Sequence, residues 1–527
     1  MMKNNYVRGV GIVLAAVLLT ACTKVNAAVV ETEATQNVTE TVTGQNADAQ
    51  TDGVVPAESS ASGKIRIIHV NDIHSYVEES DTAIGYPRIA AYIEQMKTEE
   101  PNTIVLDAGD SFAGTASAAF DRGESLPAIL NTIGFDVMAA GNADFSYGLE
   151  QLQHLQNALE YPILCGNMPL ADGSKVFDGT MKITLANGIR VGIVSVTTPE
   201  SIRQVAGVFE YQDPFVTCQS LVDEIRPEVD LVIALVHLGD AQAQEKNSDR
   251  LAEQVTGIDL IVDGHSHTVL ENGKVVNGIL ITQAGEYSKY IGVIDLEMKD
   301  GEVAATHARL ITKEEIAAVP EKEDTKTALG ELLEKKAAYF SQVIGKTETA
   351  IMGERNTIRT QETSAGNLFA DAVLAESKAD VAIMPSGIIG GDLQPGDITK
   401  GDVLNIARVS STIITKEMKG SDIVMLMNQN VAAYPEPSPS FAQISGFTMT
   451  FDPAAGDNRV TEILIDGTPM DLEKIYVVAL AIGMTESPGA ANGILIEEVG
   501  ESSEIVERYL EAAGTVAPGV DGRIRVK

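Results

Sequence analysis

The 527-residue chain predicts an α/β protein with two large domains, and three observations carry that prediction. Its length is several times the ~100–200 residues usual for one domain. Short β-branched runs alternate with amphipathic stretches in both halves. Between the halves, residues 312–343 turn Lys/Glu/Ala-rich and lose every strand signal. Apolar residues make up 44% of the chain, enough for substantial cores and above the range of a disordered protein.

The first element, residues 1–22, reads as an address. Lys3 and Arg8 form a basic start, and Val10 to Ala21 is an apolar run too short to span a bilayer comfortably. It closes with Leu19-Thr20-Ala21-Cys22, which resembles the lipobox of bacterial lipoproteins. That resemblance implies cleavage before Cys22, a lipid anchor on its sulfur, and an extracytoplasmic, cell-surface location. The alternative is an ordinary secretory signal with a chance cysteine. Residues 23–63 are rich in Thr, Ala, Glu, Asn and Gln, the composition of a disordered tether.

Residues 64–311 form the first α/β domain. Strands are predicted at Ile65–Val70, Thr103–Leu106, Asp136–Ala140, Val191–Val196, Leu231–Val236 and Leu260–Val262. Just after five of these runs come Asp72-Ile73-His74, Gly109-Asp110, Gly141-Asn142, His237 and Gly264-His265-Ser266-His267. The carboxyl ends of strands line the crevice where open α/β sheets bind ligands. Asp72 and His74 are two residues apart, so an extended backbone would point both to one side. Asp72, His74, Asp110, Asn142, His237, His265 and His267 supply carboxylate, imidazole and amide groups without a thiolate. That donor set suits two divalent ions such as Mn²⁺, Zn²⁺, Co²⁺ or Fe and not a closed structural zinc site. Alone, a His-x-His or a Gly-Asn is more often structural; the order and the strand-end positions favour the functional reading. His69, His154 and His307 match no pattern and read as structural or surface residues. Cys165 and Cys218 read as core residues.

The segment 312–343 has helical spacing around Glu331 to Lys336 and reads as a helical linker. Residues 344–527 form a second, smaller α/β unit, with strands predicted near Val381–Met384, Val409–Thr415, Phe447–Phe451 and Tyr476–Leu480. The formal charge of −37 repels nucleic acid and anionic lipid, so neither is an expected partner. A small anionic substrate must then be drawn in locally, by metal ions or arginines.

In its motifs the chain resembles the 5'-nucleotidase and UDP-sugar hydrolase family, which joins a calcineurin-like metallophosphatase domain to a 5'-nucleotidase C-terminal domain. The carrying residues are Asn71-Asp72-Ile73-His74, Gly109-Asp110, Gly141 to Gly148, His237 and Gly264 to His267. In the second half they are Arg355, Arg359, Gly366-Asn367-Leu368, Gly396 to Thr399 and Asp521 to Ile524. The resemblance implies a metallophosphatase domain of two packed sheets flanked by helices. It implies that Asp72, His74 and His267 hold one metal, that Asp110 bridges, and that Asn142, His237 and His265 complete the second. Two such cations activate water and stabilise charge on a phosphoryl group. The implied partner is a small phosphorylated substrate, nucleotides included, and the implied state a monomer.

Two departures stand out. The family's Gly-Asn-His-Glu/Asp-Phe-Asp reads here Gly141-Asn142-Ala143-Asp144-Phe145-Ser146. Ala143 and Ser146 thus replace the catalytic histidine and the aspartate that orients it, and no catalytic acid is left intact. In the second half, relatives bind substrate with three arginines and sandwich the base between two phenylalanines. Arg355 and Arg359 match the first two arginines, while the third position falls on Gly390. The aromatic positions fall on the stretch Arg408 to Ser411 and near Ile482, followed by Ser487-Pro488-Gly489-Ala490. Arg355 and Arg359 have an alternative role, pairing with Glu354 and Glu362, and Gly387, Gly390 and Gly391 read as a tight turn more readily than as a phosphate loop. Two functions compete: a two-metal phosphoesterase with weakened or altered activity, and a non-catalytic metal- or ligand-binding protein on the same scaffold.

Overall fold

The computed structural model describes residues 61–204, 208–240 and 245–527. The signal segment, Cys22 and nearly all of the tether lie outside the described residues. As predicted, the architecture is α/β. One six-stranded sheet contains β1 (Gly63–Val70), β2 (Thr103–Asp107), β3 (Val137–Ala139), β4 (Ile163–Leu164) and, at its far edge, the long β11 (Tyr290–Lys299) and β12 (Glu302–Thr312). A second contains β5 (Thr180–Thr184), β6 (Arg190–Val194), β7 (Leu231–Leu235), β8 (Leu260–Val262), β9 (Lys274–Val276) and β10 (Ile279–Thr282). β1 begins at Gly63, inside the stretch read as tether, because Gly63 pairs with Met298 at the end of the antiparallel β1–β11 register.

Alternation along each strand explains the layering. Ile65 and Ile67 of β1 join Leu106, Ile193, Ile233 and Val262 in a core between the two sheets. Ile68 and Val70 face the other way, into a core with helices Tyr86–Glu99 and Leu126–Ile133. The outer face of the second sheet is covered by helix Pro214–Ile225 through Phe215, Cys218 and Val222. Cys165 and Cys218 are both free and buried.

Within 312–343 the chain forms a helix from Glu323 to Phe340. It is not a free spacer: Leu332 is buried in the core of the first sheet's helical layer, and Thr325 meets Thr132, hydroxyl to hydroxyl, at 2.8 Å. The second half is built on a five-stranded mixed sheet in the order Ala442–Ser445, Val381–Pro385, Ile475–Ala481, Thr412–Lys419, Ile494–Glu501. The strand predicted from Val409 starts only at Thr412. Arg408 to Ser411 form a loop instead, held by Ser410 Oγ on Glu501 Oε2 (2.6 Å) and by the Ser411 amide on Ser502 Oγ (3.1 Å). Side-chain oxygens there take hydrogen bonds that a strand ladder would need.

Candidate metal centre

The loops after β1, β2, β3, β7 and β8 meet at one rim of the paired sheets. Backbone hydrogen bonds join the first two, from Asp72 N to Gly109 O (2.9 Å) and from His74 N to Asp110 O (2.8 Å). Asp72, His74, Asp110, His265 and His267 all have positive φ, between 50° and 78°. This corrects the expectation of an extended Asp72–His74 segment: the chain there is left-handed, not pleated. Such conformations cost about 1–3 kcal/mol each for non-glycine residues and persist where surrounding structure enforces them. Close approach adds a second constraint. A Cβ on Gly141 would lie 2.2 Å from Asp110 Oδ1, and one on Gly264 would lie 2.7 Å from His237 Nδ1.

Two overlapping groups result, Asp72 with His74 and His267, and Asp72 with Asp110 and His237. Asp110 Oδ2 stands 3.5 Å from His74 Nε2 and 3.3 Å from His237 Nε2. Asp72 Oδ1 is 3.4 Å from His267 Nε2 and 3.8 Å from His237 Nε2. His74 Nε2 and His267 Nε2 lie 3.2 Å apart. Asn142 and His265 sit beside these groups, joined Oδ1 to Nδ1 at 2.8 Å, with the His265 ring centroid 5.3 Å from that of His237.

Burial opposes charge on Asp110 and His237, but their mutual attraction outweighs it, so the carboxyl is pushed down and the imidazole up. His265 goes the other way, to about 4, through burial and then the nearby His237 charge. These residues fit divalent cations on one specific observation. His237 Nε2 is buried and makes no hydrogen bond, while its Nδ1 is committed to Ala108 O at 2.7 Å. An imidazole fixed at one nitrogen with the other orphaned among carboxylates is the arrangement a metal ligand needs.

Several supporting residues were not foreseen from the sequence. Asp144 accepts amide hydrogens from Asp110, Ser111, Phe112 and Gly141 at 2.8–3.0 Å, tying the β2 and β3 loops together. Burial, and then Asp110, lift its pKa to about 7. Asp107 accepts from Gly109 N and Ser111 Oγ, and Asp263 from Leu238, Gly239 and Gly264 amides. Asn71 donates to Asp72 Oδ2 (2.7 Å) and to Gly285 O (2.8 Å). Glu286 Oε2 lies 2.5 Å from His267 Nδ1, and Tyr287 packs edge-on against His74 and His267. A sequence signal existed for four of them: Asn71 and Asp144 stand inside the motifs quoted above, and Asp107 and Asp263 follow a strand-like run just before a glycine-containing ligand motif.

Comparison with known proteins agrees with this geometry. Residues 65–269 match the model of the calcineurin-like phosphoesterases, and residues 343–486 that of the 5'-nucleotidase C-terminal domain. The chain thus carries a calcineurin-like phosphoesterase domain followed by a 5'-nucleotidase C-terminal domain, the make-up of a metal-dependent phosphoesterase of 5'-nucleotidase type. The 5'-nucleotidase of Vibrio cholerae is 27% identical, over 86% of this chain and 91% of its own length. The trifunctional nucleotide phosphoesterase protein YfkN of Bacillus subtilis is also 27% identical, but this chain covers 88% of itself and only 35% of that protein. The 5'-nucleotidase precursor from Thermus thermophilus superposes with a TM-score of 0.56 at 25% identity, over 88% of this chain and 99% of that one. A putative 5'-nucleotidase from Staphylococcus aureus shares the fold with a TM-score of 0.65 at 18% identity, over 88% and 100%.

Against the family motif, Ala143 opens a short 3₁₀ turn, Ala143–Phe145, with its amide 2.6 Å from Asp110 Oδ1. Ser146 ends that turn and is exposed. Arg355 and Arg359 flank a one-turn helix in the second half, away from the metal-centre residues in sequence and in hydrogen bonding. They do not pair with Glu354 or Glu362. Glu354 accepts from Asn356 N, Thr357 N and Thr357 Oγ1, and Glu362 from Asn367 Nδ2, Asp521 N and Ile524 N. The Gly387 and Gly390 amides are bonded to Pro439 O and Ile406 O and so do not face a phosphate, while Ile388 N on Pro385 O and Ile389 N on Ser386 O (both 3.3 Å) make the turn. Ile482 and Val409, on which the resemblance would set aromatic residues, are exposed aliphatic residues.

Proposed function

We propose that this chain is an exported, lipid-anchored two-metal phosphoesterase of 5'-nucleotidase type, altered in substrate and slowed at leaving-group departure. Asp72, His74 and His267 would hold one ion, Asp110 would bridge, and Asn142, His237 and His265 would complete the other. The ions would be drawn from Mn²⁺, Zn²⁺, Co²⁺ and Fe. When bound they supply charge that acidifies a water and polarises a phosphoryl oxygen. The observation that carries this reading is His237, buried with Nε2 orphaned beside Asp72 and Asp110.

The chain's own residues would do the rest. Asp72 and Asp110 fix two loops relative to one another, and Asn142 holds the His265 ring beside His237. Arg355 and Arg359 would bind substrate from the second half. No side chain at 143 donates a proton to the departing oxygen, because Ala143 has none to give. Esters whose leaving group needs little protonation are therefore favoured. The reading includes Cys22 as the lipidation site, a division at 64–311, 312–343 and 344–527, and a monomeric cell-surface protein.

The test is turnover of p-nitrophenyl phosphate, bis-p-nitrophenyl phosphate and AMP with Mn²⁺, Co²⁺ or Zn²⁺. The expected order puts p-nitrophenyl phosphate above AMP, with Asp110→Ala abolishing both. Turnover unchanged by Asp110→Ala would remove the reading. The second reading, a non-catalytic binding protein, draws on Ala143 and the missing aromatic faces; tight metal uptake with no turnover of any of the three esters would favour it.

A further inference from the structure

Arg408 lies in the loop that replaces a predicted strand, and it lies against the glycine where a third arginine is missing. The distance from a Cβ built on Gly390 to Arg408 Cδ is 3.3 Å, and to Arg408 Cβ 3.6 Å. The two loops are joined by Gly390 N on Ile406 O (2.9 Å) and Val409 N on Ile388 O (3.3 Å). On the other side of the same glycines, a Cβ on Gly353 would lie 2.5 Å from Gly391 O and 3.0 Å from the Gly390 carbonyl carbon. Gly353 leads directly into the turn that carries Arg355 and Arg359. Gly390 and Gly391 are therefore packed between the Arg408 loop and the segment that leads to the other two arginines.

We propose that Arg408 supplies the third guanidinium of an anion-binding triad with Arg355 and Arg359, replacing from a different loop the side chain absent at Gly390. The proposal rests on the second half being the substrate-binding part of the phosphoesterase proposed above. Among the described residues, none of the three guanidinium groups makes a hydrogen bond or an ion pair with protein. In a chain with 75 acidic residues against 38 basic ones, three neighbouring cations left without a carboxylate mark a place kept for an external anion. The proximity also registers electrostatically: partial burial, then Arg355 and Arg408, push the Arg359 guanidinium below its ordinary value. With Val409, next to Arg408, an exposed aliphatic residue and not an aromatic one, the triad grips the anionic end of a ligand without stacking on a base.

The test is pyrophosphate binding by calorimetry to the full chain with metals removed by chelator, so that the metal centre contributes nothing. Arg408→Ala is expected to weaken binding by about tenfold or more, the loss of one charge-assisted contact. Arg408→Lys should recover only part of it, since an ammonium lacks the planar fork. Arg408→Ala combined with Gly390→Arg should bind within about threefold of the unchanged chain, because the two side chains would fill the same space. Gly390 has no positive φ to oppose that change. Pyrophosphate affinity unaltered by Arg408→Ala, or no binding by the unchanged chain, overturns the triad. Manganese uptake is read separately and reports on the metal centre alone; p-nitrophenyl phosphate turnover is read beside it. A chain that binds pyrophosphate yet hydrolyses no ester sinks the phosphoesterase reading and leaves the triad standing.

Discussion

His267 is aimed by its neighbours. Glu286 Oε2 holds its Nδ1 at 2.5 Å, and Lys289 holds the other carboxylate oxygen at 2.7 Å. The ring's Nε2 is thereby turned to Asp72 and His74. A carboxylate behind a metal-binding imidazole fixes its tautomer and raises its basicity, and losing one typically costs about 10–100-fold in metal affinity. Glu286→Ala is expected to weaken Mn²⁺ binding by that amount in calorimetry; unchanged affinity would mean that packing against Tyr287 alone orients the ring. A second residue-scale expectation concerns Ala143. Its amide is already anchored on Asp110, so the backbone there is tied to the metal centre and only the side chain is missing. Ala143→His with Ser146→Asp is expected to raise AMP hydrolysis by about 10²–10⁴-fold, the usual contribution of a positioned acid. The gain with p-nitrophenyl phosphate should be much smaller. Equal gains on both esters would mean that the new histidine acts by binding phosphate and not by protonating the leaving group.

At the scale of the element, the β1–β11 pair carries an ionisable group in its core. His69 is 1% exposed and leaves Nδ1 without a partner, and a Cβ on its partner Gly292 would lie 2.0 Å from its Nε2. Burial pushes its pKa down to about 3, from an ordinary 6.5. The unfolded chain then takes up a proton near pH 6.5 that the folded one refuses, so stability is whole above that pH and declines below it. The slope is roughly 1.4 kcal/mol per pH unit, down to about pH 3. His69→Leu is expected to flatten this limb, seen as a smaller fall in the urea midpoint between pH 7 and pH 5. The buried acids Asp107, Asp144 and Asp263 titrate with the opposite sign, but they are common to both proteins and cancel in the comparison. If both midpoints fall equally, His69 is not the source. The same strands explain what was legible in the sequence. β1, β2, β7 and β8 are short β-branched runs buried on both faces, so they announce themselves, and the ligand motifs follow them directly. The five-residue β5, with only partial burial, carries no such run, and the edge strand Ile494–Glu501 opens on Ile494-Leu495-Ile496 but is exposed over its first five residues, so its apolar run marks no core. The left-handed loops were illegible because Asp72, His74 and Asp110 are not the glycines that normally mark positive φ. Arg408 was hidden for another reason: its neighbour Gly390 is distant in sequence, and only the fold brings the loops together.

For the whole molecule, the question is how the metal centre and the arginines address one substrate. Among the described residues, every hydrogen-bond, ion-pair and ring partner of the metal-centre side chains lies before residue 290, whereas Arg355, Arg359 and Arg408 belong to the second half. The halves meet through the helix Glu323–Phe340. Lys336 bonds Glu78 at 2.7 Å on one side, and Lys400 lies 4.4 Å from the Tyr339 ring centroid on the other. They also meet directly through Arg122 and Glu504, paired at 2.7 Å. That pair is exposed and worth about 0–1 kcal/mol, too little to hold two large units in one arrangement. If the halves shift during turnover so that the triad and the metal centre address one ester, this contact is where a restraint would be felt. Cysteines at 122 and 504 (Arg122→Cys with Glu504→Cys), joined by a short bismaleimide, would supply one. Cys165 and Cys218 are buried, with thiols pushed up to about 12, and do not compete for the reagent. Cross-linking is expected to slow AMP turnover by at least about tenfold, as expected when a domain motion belongs to the cycle. Hydrolysis of p-nitrophenyl phosphate, whose good leaving group makes it depend less on a grip from the second half, should slow much less. AMP turnover untouched by the cross-link would mean that one fixed arrangement serves both sites; loss of both activities would mean that the restraint had deformed the metal centre itself.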